Sequence, residues 1–261
     1  MKQRTISGIV LLLILIGSLV INVKLFNIVV LIVALIGFNE FFNTKYNKKD
    51  YLVVKILAIV NLILLLFNKT LYNFDMGAII ALAIITLTIP IMFYKDNKLY
   101  NIVDALYVLG MVCFLGIALS NIIYLSNDNL AKCIFIFIIA FISDTYAYIG
   151  GSLIGKHKFT ELSPNKTIEG VVIGVLMGTL IGGMYYFNIV SGLTLAQTLV
   201  LCLVLTVLSV MGDLLFSSIK RNFGEKDFSN LIPGHGGILD RFDSILYVSL
   251  GLYIIMNIVW R

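Results

Sequence analysis

Four aspartates, Asp144, Asp213, Asp240 and Asp243, stand in or at the edge of long apolar runs, where an unpaired carboxylate is costly. Asp240 and Asp243 are three residues apart and share one helix face. Asp144 and Asp213 each fall about six residues, or about 9 Å, from the same-side end of their runs at 1.5 Å rise per residue. Three helices can therefore bring four carboxylates to one depth. Anions crowded in a low-dielectric layer repel one another or take up protons, and a hard divalent cation relieves that conflict. Carboxylate oxygens suit Mg²⁺, which keeps waters and draws its remaining ligands from phosphates; one or two ions fit such a set. The competing arrangement pairs each acid with a nearby Lys or Arg, and Arg241 stands beside Asp240.

Around these acids lie residues suited to phosphate. Lys220, Arg221 and Lys226 form a basic cluster able to hold a triphosphate. A glycine-flanked histidine follows, Gly234-His235-Gly236-Gly237, leading into the helix of Asp240 and Asp243. Gly236 and Gly237 can contribute to an anion nest, and His235 can bond phosphate, assist proton transfer or simply be solvated. Upstream, Gly150, Gly151 and Gly155 allow close backbone approach to a ligand, with Lys156 and Lys158 adding charge. The run Ser163-Pro164-Asn165-Lys166-Thr167 predicts a helix start with Ser163 as N-cap. Such an end favours an anion, and Lys166 can meet phosphate as a point charge.

These residues need a scaffold that composition identifies. Of 261 residues, 60% are hydrophobic and 13% charged, against about 45–50% and about 25% in soluble domains. With a mean hydropathy of +1.02, too few polar side chains remain to cover a soluble surface. Apolar runs of about 20 residues cross the hydrocarbon layer as helices. Nine are predicted, at 5–21, 25–42, 51–68, 76–94, 101–124, 130–150, 168–187, 194–219 and 241–259. The runs are continuous, not alternating, which favours helices over strands. The expected fold is all-α, a polytopic membrane protein with about nine transmembrane helices.

The first run follows Lys2 and Arg4 and resembles a secretory signal, but it lacks a small-residue cleavage site and precedes eight more runs. It is expected to remain as the first transmembrane helix. Cys113, Cys133 and Cys202 lie in apolar runs without a CxxC spacing and read as small buried hydrophobes. Asp104 and Glu40 lie near run ends and are expected to reach the interface. Gly170, Gly174, Gly178 and Gly182 recur every four residues, a face for close helix packing within the chain or in a dimer.

Fourteen basic residues fall on the side of the N terminus and four on the other. Basic residues accumulate in the cytoplasm. The N terminus and the loops near the acids are thus expected to be cytoplasmic, with the C terminus outside, in the plasma (inner) membrane. The net charge of +5 follows from that topology and from anionic headgroups; no nucleic-acid partner is needed. Residues 1–128 are chemically quiet and read as scaffold, and residues 129–261 as the catalytic region.

Residues 217–243 resemble the signature of the CDP-diglyceride synthetases, or phosphatidate cytidylyltransferases: S-x-apolar-K-R-x₄-K-D-x-small-x₂-apolar-P-x-H-G-G-apolar-x-D-R-apolar-D. Every defined position is filled, from Ser217 through Lys220, Arg221, Lys226, Asp227, Pro233, His235, Gly236, Gly237, Asp240 and Arg241 to Asp243. The stretches D-x-x-A-Y-x-x-G-x-x-x-G-K at 144–156 and S-P-x-K-T-x-x-G at 163–170 are similar to the family too. The resemblance implies a dimeric membrane enzyme that joins CTP and phosphatidate into CDP-diacylglycerol and pyrophosphate. It also implies an intramembrane Mg²⁺ site at Asp213, Asp240 and Asp243. Asp144 completes the acidic set, and Lys156, Lys166, Lys220, Arg221 and Lys226 would hold the nucleotide. A secondary transporter would carry inverted repeats, and no self-similarity relates the halves. The D-G-x-x-A-R…D-x-x-x-D pattern of CDP-alcohol phosphotransferases is absent.

Overall fold

In a computed structural model, residues 14–46, 51–94, 100–232 and 236–259 are described. The helices are α1 (Val23–Lys45), α2 (Leu52–Phe67), α3 (Met76–Thr88), α4 (Ile102–Asp128), α5 (Leu130–Ile154), α6 (Ile168–Tyr185), α7 (Leu195–Asn222) and α8 (Leu239–Ile254). Residues 14–21 are helical as well. No strand occurs among the described residues, only two isolated bridges. Among the described residues seven helices are long and apolar enough to cross a membrane. The chain is a polytopic, all-α membrane protein. Two of the nine expected spans differ. Met76–Met92 is a shorter apolar helix, which leaves the α conformation at Thr88 and ends in a 3₁₀ turn around Pro90, whose ring nitrogen has no hydrogen to donate. The 5–21 span lies largely outside the described residues.

Polar caps begin most of these helices. Asn22, Asp75, Asn129 and Thr167 each accept from an N–H in the first turn. Thr194 and Gln197 exchange bonds in a capping box at α7. Each cap satisfies donors that the first turn leaves unpaired. Such satisfaction matters more where lipid replaces water.

By contacts the chain sorts into two compact units: residues up to 127 with 228–239, and residues 128–227 with 240–261. In the first unit, Phe26, Phe38, Phe42, Leu62, Leu65 and Leu115 are fully or almost fully buried. Its acids depart from expectation. Asp104 does not reach the interface; it is buried and accepts from the Tyr46 hydroxyl and Asn101 N–H while paired with Lys45 Nζ at 2.7 Å. Burial and that carboxylate raise the Tyr46 hydroxyl far above its usual range, so it keeps its proton and remains a donor. Glu40 is also buried, at 4% exposure, among partners remote in sequence. Local reading places an acid near a run end in water because partners nearly 60 or 200 residues away are invisible to it.

Candidate active site

The second unit is built on close backbone approach. At Gly170, Gly174, Gly178 and Gly182 an added Cβ would lie 2.4–2.6 Å from Ala147 O, Ser143 O, Thr206 Cγ2 and Ile139 Cδ1. The stripe therefore packs within the chain, seating α6 against α5 and α7. Gly212 does the same for α8: its Cβ would stand 2.7 Å from the Asp243 carbonyl and 2.9 Å from Tyr247 Cβ. Asp213, the next residue on α7, is thereby brought to the level of Asp243. Cys133 and Cys202 are buried thiols, Cys113 is half-buried, and none forms a disulfide.

These helices enclose a cavity of about 660 Å³. Five carboxylates line it, Asp144, Asp213, Asp227, Asp240 and Asp243, with five cations, Lys166, Lys220, Arg221, Lys226 and Arg241. Its formal side-chain charge is balanced. Lys220 Nζ donates to Asp240 Oδ1 at 2.5 Å, and both residues are buried. Lys166 pairs with Asp213, which also accepts from Ser217 Oγ at 3.4 Å. Asp144 lies in the field of Lys166 and Arg241, and Asp243 in that of Lys220. Each feels the charge of Asp213, and Asp243 that of Asp144. Asp243 Oδ1 accepts the Ser244 N–H at 2.8 Å. Acids and cations thus crowd one space, and in a low-dielectric setting each acid acts strongly on positive charge.

Lys166 reaches the cavity because the α5–α6 connection folds back on itself. Lys158 and Thr167 form a bridge, and Phe159 N–H donates to Lys166 O at 2.9 Å, as does Ile168 N–H to His157 O. Glu169 gathers the Lys156 and His157 N–H groups and the His157 ring at 2.6 Å. One expectation changes here. The helix cap is Thr167, whose Oγ1 accepts from Gly170 N–H, while residues 163–166 form a turn closed by Lys166 N–H to Ser163 O. Both residues are hydroxyl caps by type; Pro164 starts the turn, and the helix waits for Thr167. The glycines at 150, 151 and 155 also allow close packing, for a Cβ would meet Ile173 at Gly150 and the Thr167 side chain at Gly151 and Gly155, while Gly151 lines the cavity as well.

Of the residues expected in a site, Asp144, Lys166, Asp213, Lys220, Arg221, Lys226, Asp240 and Asp243 all line this cavity. Lys156 is exposed and does not line it. Gly236 and Gly237 belong to the 228–239 segment, where Gly236 O accepts from Ile232 N–H at 2.9 Å. His235 lies outside the described residues, with Pro233 and Gly234. Asp227 and the polar groups of Tyr148, Ser152 and Asn165 line the cavity without having been singled out. Asp227 had a signal, since it fills the K-D position of the motif.

Among the described residues no three Asp, Glu, His or Cys side chains are disposed as a ready ligand set. The cavity therefore offers no all-protein metal cage. Its donors do fit a hard divalent cation that uses one or two carboxylates and completes its shell with water and phosphate oxygens.

Residues 2–259 match the profile of the Cytidylyltransferase family. The chain is 32% identical over 253 residues to a phosphatidate cytidylyltransferase of Staphylococcus haemolyticus (strain JCSC1435), across 95% of this chain and 96% of the relative. It is 32% identical over 252 residues to one from Staphylococcus epidermidis (strain ATCC 12228), with the same coverage. It is 31% identical over 253 residues to one from Staphylococcus aureus (strain COL), again across 95% and 96%. The membrane helices, the charged cavity and near-complete matches converge: the chain belongs to the cytidylyltransferase family.

Proposed function

We propose that this chain is a phosphatidate cytidylyltransferase, which converts CTP and phosphatidate into CDP-diacylglycerol and pyrophosphate in phospholipid synthesis. The observation that carries the reading is the cavity in which five carboxylates and five cations meet, almost all from the signature stretches. A phosphate oxygen of phosphatidate attacks the α-phosphorus of CTP. The bond from that phosphorus to the bridging oxygen breaks, and its electron pair leaves with pyrophosphate. Phosphatidate is anionic near neutral pH, so the attacking oxygen needs no protein base, and no Ser or Cys nucleophile is required.

Two anions must be brought together, so positioning and charge compensation dominate the barrier. Lys220, Arg221, Lys226 and Lys166 would hold the triphosphate, with the guanidinium able to grip two oxygens at once. Nucleotidyltransferases generally use a divalent metal. Asp213, Asp240, Asp243 and Asp144 would hold Mg²⁺, one ion or two, which supplies charge neutralisation at the transferring and leaving phosphates. Lys166 and Lys220 already neutralise two of these acids; moving each ammonium from carboxylate to phosphate frees the carboxylate for cation binding. Balanced charge keeps the cavity free of net repulsion.

The orientation proposed is cytoplasmic for the N terminus and the cavity-facing loops, external for the C terminus. CTP then enters from the cytosol while the acyl chains of phosphatidate stay in lipid. Two copies associate as a homodimer, following the family resemblance. The test is purified protein in detergent with phosphatidate and labelled CTP, with and without Mg²⁺. Labelled lipid and pyrophosphate in equal amounts, both Mg²⁺-dependent, are expected; CTP consumed without labelled lipid refutes the assignment.

A further inference from the structure

The Glu40 carboxylate on α1 has three donors among the described residues. Ile238 N–H donates to Oε1 at 3.0 Å, Leu239 N–H to Oε2 at 2.9 Å, and Ser229 Oγ to Oε1 at 2.6 Å. Gly237 passes directly over it, for a Cβ there would lie 2.6 Å from Oε2. One turn earlier on α1, Gly37 receives the Leu239 side chain, whose Cδ2 would be 3.1 Å from an added Cβ. Leu239 is the first residue of α8, and the next is Asp240. The glycine run that looks from sequence like an anion nest thus leads to N–H groups already bonded to an anion of the protein itself.

We infer that Glu40 is a positioning residue for the cytidylyl transfer, acting through α8. A carboxylate receiving two consecutive N–H groups is a charge-assisted cap that fixes the direction in which a helix starts. Here it sets where the first turn, with Asp240 and then Asp243, begins. Glu40 does not line the cavity. The three-residue spacing of Gly37 and Glu40 makes α1 a seat for this stretch of chain: Gly37 for the apolar side chain, Glu40 for the backbone. The inference rests on the cytidylyltransferase reading of the cavity.

The test compares wild type with Glu40→Gln and Ser229→Ala, each purified in detergent and matched for monodispersity and melting temperature. The readouts are kcat per folded molecule, KM for CTP, and the Mg²⁺ concentration giving half-maximal rate. An amide at position 40 can no longer accept both N–H groups with a charge. Glu40→Gln is expected to lower kcat about tenfold, equivalent to a displacement of the reacting groups, and to raise the Mg²⁺ requirement. Ser229→Ala loses one bond of three and keeps the backbone cap, so a two- to threefold change in the same direction is expected, roughly in proportion. If Glu40→Gln does not fold, the Ser229→Ala result decides. Unchanged kcat and Mg²⁺ requirement per folded molecule overturn the inference, as does activity lost only in step with folded protein. A wild type that makes no labelled lipid overturns the functional reading itself, a different outcome from an active wild type with fully active variants.

Discussion

The two units handle buried acids in opposite ways. In the first, Glu40 and Asp104 are nearly sealed from solvent and each accepts from fixed backbone N–H donors as well as from a serine or tyrosine hydroxyl, with Lys45 beside Asp104. In the second, Asp144, Asp213, Asp240 and Asp243 open onto a shared cavity, and Asp213 and Asp240 are bonded to lysines. A lysine on a long flexible stem can change partners, whereas a backbone N–H cannot. Carboxylates of the two units therefore do different work. Where donors saturate the carboxylate it organises structure; where acids face space and one another it has capacity left for a ligand.

That contrast predicts unequal costs of neutralisation. Asp243→Asn should lower product formation at least about 1,000-fold while the protein still inserts and melts normally, because it removes charge aimed at the developing transition state; rates from labelled CTP on purified protein check this. Lys166→Ala should raise KM for CTP about tenfold, by loss of one phosphate contact of about 1.4 kcal/mol, read from CTP titrations. Asp104→Asn should leave kcat per folded molecule unchanged and cost about 1–3 kcal/mol in stability, since it leaves buried partners poorly matched; melting of the detergent-solubilised protein measures it. Lys156→Ala, outside the cavity, should change activity by no more than about twofold. A large activity loss in Asp104→Asn would erase the distinction between the units.

Much of this was legible beforehand because a bilayer imposes simple demands. Helical spans follow from unbroken apolar length, and acids inside them must have a reason to be there. The glycine stripe on α6 was legible as packing, although sequence could not choose between a neighbour in the chain and a second copy. Side-chain partners were harder. Asp104 and Glu40 looked like interface residues because Tyr46, Ser229 and the start of α8 become neighbours only through the fold. Ser163 and Thr167 are equivalent caps by type, and Gly150, Gly151 and Gly155 equally fit a ligand loop or a crowded helix crossing. In each case sequence gave the chemical capacity of the residue, and tertiary packing chose its partner.

The central claim is that the second unit's carboxylates, and not those of the first, carry the divalent ion with the nucleotide. Mn²⁺, a spectroscopic substitute for Mg²⁺, can be titrated by EPR into wild type, Asp243→Asn and Asp104→Asn protein in the presence of CTP. Bound Mn²⁺ in excess of that held by free CTP is expected for wild type and Asp104→Asn and is expected to be lost in Asp243→Asn. Equal binding by Asp243→Asn and wild type, or loss in Asp104→Asn instead, would contradict the account.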